Sequence, residues 1–111
     1  MNHCQEDLFV EPADCLRQMI AVLERERQAL AQLDADDLFE IAHAKASLCD
    51  VLAAKGEETI NQEAKALAQT AYQLNEVNRR VRNLLAANIA ARIEALGGQR
   101  RDTYLASFAQ A

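Results

Sequence analysis

The chain has 111 residues, with 12 Lys plus Arg against 17 Asp plus Glu and a net charge of −5. Half of it is hydrophobic, yet 22 of those residues are alanine, aromatic residues make up only 5%, and there are three Gly, one Pro and no Trp. So few turn-formers among so many helix-formers exclude a β-sandwich, a small barrel and a collagen-like or disordered chain, and the length suits a single domain over 1–111.

The opening Met1-Asn2-His3-Cys4-Gln5-Glu6-Asp7 is acidic and has no apolar stretch of signal-peptide type. Pro12 suits the first turn of a helix, and Asp14 adds favourable charge there. Apolar residues then recur at Leu16, Met19, Ile20, Leu23, Leu30, Leu33, Leu38, Ile41, Leu48, Val51 and Leu52. The spacings of three and four predict one amphipathic arm over about 13–55. The stripe slips between Leu33 and Leu38: either Asp34 caps a second helix, with a break at 34–37, or one helix runs on with a stutter. Gly56 interrupts the pattern, and Glu57, Glu58 and Thr59 place acids and a cap before a second long helix at about 58–96. Its stripe runs Ile60, Leu67, Ala71, Leu74, Val77, Val81, Leu84, Leu85, Ile89, Ile93, Leu96. Gly97-Gly98 ends it, and a short tail over 97–111 is expected to be mobile.

The expected fold is therefore all-α, a helical hairpin or coiled-coil bundle of two to three helices. At 1.5 Å per residue the two arms would span ~64 and ~58 Å, a match that favours a long antiparallel hairpin turning at Gly56. Were the first arm to fold back at Asp34–Asp37, the segment after about Val77 would bare an apolar stripe. Either version has little core, so a partner or self-association, such as a homodimer completing a four-helix bundle, is expected to cover the remainder.

Chemistry has few footholds. Cys4, Cys15 and Cys49 are odd in number and lack paired spacing, which argues against a disulfide framework and for a reducing cytoplasm. With His3 and His43 they form no metal-ligand pair, and Asp34, Asp36 and Asp37 lack the glycine and terminal Glu of a calcium loop. No Gly-rich phosphate loop and no apolar run of membrane-spanning length is present. No catalytic residue, metal or cofactor is expected. The one enzyme class that composition allows is an all-helical chorismate mutase, for which Arg17, Arg25, Lys45 and Arg79 could be drafted, though no convergent set can be placed.

Charge is unevenly spread. Residues 1–63 hold 14 acids and five bases, and residues 64–111 hold three acids and seven bases, or −9 against +4. The overall acidity argues against general nucleic-acid binding. In the basic part Asn75, Asn78 and Asn88 interrupt the apolar stripe; a polar residue at a seam fixes register or leaves an interface exchangeable, unless it lies at a wet edge. Arg79, Arg80, Arg82 and Arg92 flank Val81, Leu84, Leu85, Ile89 and Ile93. Such a helix suits an amphipathic, acid-flanked partner helix, although ordinary packing against the first arm would use part of the same stripe.

The run Leu23-Glu24-Arg25-Glu26, Leu30, Asp34, Leu38, Ile41, Lys45, Leu48, followed by Leu74-Asn75-Glu76-Val77-Asn78-Arg79, Leu84-Leu85, Ile93, Leu96 and Thr103-Tyr104, resembles the FlgN-type flagellar export chaperones over residues 16–104. These small acidic helical proteins hold hook–filament junction proteins unpolymerised in the cytoplasm and deliver them to the flagellar type III export apparatus. The resemblance implies no enzymatic activity. It implies a partner-binding helix carrying Asn75, Asn78, Val81, Leu84, Leu85, Asn88, Ile89, Arg92 and Ile93, and a tail whose Tyr104 docks at the export gate. The tail departs from the family pattern, since Leu105 follows Tyr104 where glycine is common.

Overall fold

A computed structural model of the chain describes residues 11–56 and 60–97, and every element among them is helical: α1 (Pro12–Gln32), α2 (Ala35–Lys55) and α3 (Gln62–Gly97). By its contacts the chain divides into two units, Met1–Asn78 and Arg79–Ala111, so α3 contributes to both. The fold is an all-α bundle.

In the first unit, α1 begins at Pro12 with Asp14 in its first turn, where the carboxylate complements the helix dipole. Its buried residues include Leu16, Met19, Leu23, Glu26 and Leu30, recurring at three and four along one face. The helix ends in a Schellman arrangement: the Asp34 amide donates to Ala29 O at 3.0 Å, the Leu33 amide donates to Leu30 O at 3.2 Å, and Leu33 stands at φ 54°, ψ 42°. Asp34 then caps α2, its Oδ1 accepting from the Asp37 amide at 3.0 Å.

The unbroken first arm, and with it the long two-helix hairpin turning only at Gly56, does not form. The five-residue gap from Leu33 to Leu38 would carry a continuous helix off its apolar face. The side chain of Asp34 gives a fresh helix a capped start instead, and three helices result. Gly56 ends α2 at φ 77°, ψ 167°, a backbone conformation that favours glycine. The acids and cap expected at Glu57, Glu58 and Thr59 lie outside the described residues. The cap of α3 is Asn61, whose Oδ1 accepts from the Ala64 amide at 2.8 Å.

Side-chain pairings fix the directions. Arg17 on α1 reaches Glu63 at 2.9 Å and Leu23 O reaches Asn78 at 2.8 Å, so both numbers rise together and the first part of α3 runs parallel to α1. The core joins Met19, Leu23 and Ala71, with Ile20, Leu48 and Leu74 packed against it, and Ile41 is fully buried. Each fully buried Leu or Ile contributes roughly 1.5–3 kcal/mol. Toward Gly56 the bundle holds a hollow of about 180 Å³ lined by Pro12, Leu16, Leu52, Lys55, Ile60 and Ala64 among others.

In the second unit, the described residues 79–97 are all α3, and none of them is buried.

Candidate functional site

The residues singled out from the sequence fall into two groups. Asn75 and Asn78 belong to a polar layer inside the bundle. Val81, Leu84, Leu85, Asn88, Ile89, Arg92 and Ile93 belong to the helical segment beyond it.

The polar layer takes one residue from the apolar seam of each helix. Glu26 occupies the seam position between Leu23 and Leu30, Lys45 the position between Ile41 and Leu48, and Asn78 the position after Leu74. Glu26 and Asn78 are 5% and 0% exposed. Lys45 Nζ donates to both Glu26 carboxylate oxygens, at 3.2 and 3.3 Å, and to Asn75 Oδ1 at 2.8 Å. Asn78 Nδ2 donates to Glu26 Oε1 and to Leu23 O, each at 2.8 Å. The two acceptors fix the amide's orientation, since a flipped amide would set its oxygen against a carboxylate and a carbonyl. Asn78 Oδ1 is buried with no hydrogen-bond partner among the described residues. A buried ion pair of this kind is weak support for stability, but its loss on one side is costly.

This changes the reading of two residues. Asn78 is inside the bundle and presents no surface to a partner in this conformation, and the Asn75 carbonyl oxygen is taken by Lys45. Their hydrogen bonds hold α3 to α1 and α2.

The segment that follows is different. Leu84 is 70% exposed, Ile89 38% and Leu96 89%. Val81, Leu85 and Ile93 are half-buried, and Asn88 and Arg92 are exposed. The apolar side chains recur at three and four, so they share one side of the helix, with Asn88 and Arg92 set among them, Arg82 at the edge and Arg79 and Arg80 behind. Residues 79–97 carry four arginines and one acid, Glu94. Tyr104 lies outside the described residues, as do His3, Cys4 and the rest of the tail beyond Gly97.

Other candidates resolve into structural pairs. Arg17 bridges Asp14 and Glu63 at 2.8 and 2.9 Å. Arg25 pairs with Asp37 and, at 3.1 Å, with Glu40. The Asp37 hydrogen bond is the main cause that raises the Arg25 guanidinium above its ordinary pKa, so it stays charged. Arg17, Arg25 and Lys45, all drafted for a dianionic substrate, thus already face carboxylates. Asp34 and Asp37 are a cap and an ion-pair partner, and His43 is exposed with its ring edge-on to Phe39 at 4.7 Å. Among the described residues no three His, Cys, Asp or Glu converge as metal ligands, and no helix is long and apolar enough to cross a membrane.

Sequence reasoning missed Glu26 as the partner of Asn78, and Lys45 as the partner of Glu26 and Asn75. The signal was present: each apolar seam skips one position, and the skipped positions hold an acid, a base and an amide. No family model, curated protein or solved structure matches the chain.

Proposed function

We propose that this protein is a flagellar export chaperone of the FlgN type. In this reading it acts in the cytoplasm, binds the C-terminal helical segments of hook–filament junction proteins, keeps them from assembling early and hands them to the type III export apparatus. The observation that carries the proposal is the apolar side of residues 79–97, on which Leu84, Ile89 and Leu96 stand exposed in a segment of α3 with no buried residue. Large apolar side chains exposed along one side of a helix suit an interaction site. Its helical spacing suits another amphipathic helix, and its arginines favour one flanked by acids. Burying each large side chain against such a helix contributes roughly 1.5–3 kcal/mol before the costs of association.

The order of the Leu, Asn and Lys positions that resembles the FlgN-type family supports the choice of partner in this reading. A chaperone of this kind works by substituting for the partner's own assembly contacts, so it needs a surface rather than a reactive group. Calorimetric titration with the C-terminal helical segment of a junction protein from the same organism tests the reading. Saturable binding at a defined stoichiometry is expected. Failure to bind any junction-protein segment would overturn it and leave a helical adaptor with some other partner.

A further inference from the structure

The seam of α3 is close to a repeat of itself. Ala64, Leu67, Ala71 and Leu74 face the hairpin of α1 and α2 at the spacing of a heptad, and Asn78, Val81 and Leu85 follow at the same spacing. Moving α3 by one heptad, about 10 Å along its axis, would bring Ala71 to the place of Ala64 and Leu74 to that of Leu67. Val81 would replace Leu74, and Leu85 would come to the place of Asn78. Small would replace small and large replace large at nearly every step, so hydrophobic packing alone separates the two registers poorly. The shifted one would also draw Val81 and Leu85, part of the open face, into the bundle.

One residue breaks the repeat. We propose that Asn78, through Glu26 and Lys45, is a register lock that holds α3 against a one-heptad slip and thereby keeps the face beyond it open. In the observed register the Asn78 amide meets Glu26 Oε1 and Leu23 O at 2.8 Å, and the Lys45 ammonium closes the layer from α2. In the slipped register the amide would lie where Ala71 now sits, in the apolar cluster with Met19 and Leu23 and away from the Glu26 carboxylate. Leu85 would meet the Glu26 carboxylate. A buried polar group without partners on one side and a lost bond on the other both oppose the slip. The layer gives up some packing energy, as the unpartnered Asn78 Oδ1 records, in return for a single register. The inference does not depend on what the open face binds.

Cross-linking reads the register directly. In the full chain freed of its own thiols (Cys4→Ser, Cys15→Ala, Cys49→Ser), Arg17→Cys is combined with either Glu63→Cys or Thr70→Cys. Arg17 and Glu63 touch in the observed register, and position 70 takes the place of 63 after a one-heptad slip. A short bismaleimide should join 17 to 63 and leave 17 and 70 unlinked in the monomer band while Asn78 is present. Asn78→Ala completes the repeat, and with it the 17–70 link should rise at least about tenfold at the expense of 17–63, the change expected from losing one such buried bond. Asn78→Ser, small and polar but too short to reach Glu26, should act in the same direction. A 17–70 link no stronger in either variant than in the parent would overturn the lock. So would loss of helical circular dichroism in both variants, because a lock of register gives up uniqueness and not helix.

Discussion

Among the described residues, Leu33 is the one non-glycine residue with a positive φ. It ends α1 in the left-handed region, which costs a non-glycine residue roughly 1–2 kcal/mol, and it is 61% exposed, so it recovers little by burial. Leu33→Gly removes that strain and adds some freedom to the unfolded chain; a net gain of about 0.5–1 kcal/mol is expected in a denaturant titration, with the slope unchanged. Glu26 presents the opposite case, a charge that the fold tolerates because it is partnered. Lys45→Met takes the Lys45 ammonium away from the carboxylate, 6% exposed, and should cost about 2–3 kcal/mol, at the low end for a broken buried pair because Lys45 is 22% exposed. Adding Glu26→Leu to Lys45→Met should restore more than half of that loss, since two apolar side chains replace a desolvated pair. A double variant no more stable than Lys45→Met would show that Glu26 contributes through something other than its charge.

At the scale of elements, α3 is one helix with two environments. Up to Asn78 it presents Ala64, Ala71 and Asn78 as buried residues, and from Arg79 on it presents none. Helical hydrogen bonds without tertiary burial open readily, whereas those beneath packed side chains open only with the bundle. Amide exchange read by mass spectrometry should therefore be much slower over 64–78 than over 80–96, and uniform protection along the helix would contradict the division. Much of this was legible beforehand. The spacing of Leu16, Met19 and Leu23 located α1 because helix-period burial leaves a direct trace in sequence. The break at Asp34 was visible as an alternative but could not be chosen, because its decisive feature is the left-handed turn at Leu33, where composition gives no glycine to announce it. The cap at Asn61 was missed for a related reason, as Thr59 is as good a cap by type and only the backbone path decides. Asn78 lies at the seam, one of the two placements left open by its residue type, while its partner Glu26, and Lys45 beyond it, come from helices whose pairing sequence spacing alone does not give.

At the scale of the whole molecule, the account joins a small polar-centred bundle to a helical segment with an open apolar face. In the proposed reading the bundle holds the first part of the helix and the exposed segment does the binding. Charge follows the same division, with the acids concentrated before residue 64 and the arginines after it. The acidic half then disfavours acidic partners over most of the chain, and residues 79–97 are where one would be accepted. The most direct test titrates the wild-type protein and the Leu84→Glu/Ile89→Glu variant with the same junction-protein C-terminal segment, following helicity and melting midpoint alongside. The account predicts that the variant binds at least about a hundredfold more weakly, with helicity and midpoint unchanged. Equal affinity in the two proteins would contradict it by placing the binding surface elsewhere, and a midpoint lowered along with affinity would contradict it by showing that the face belongs to the core.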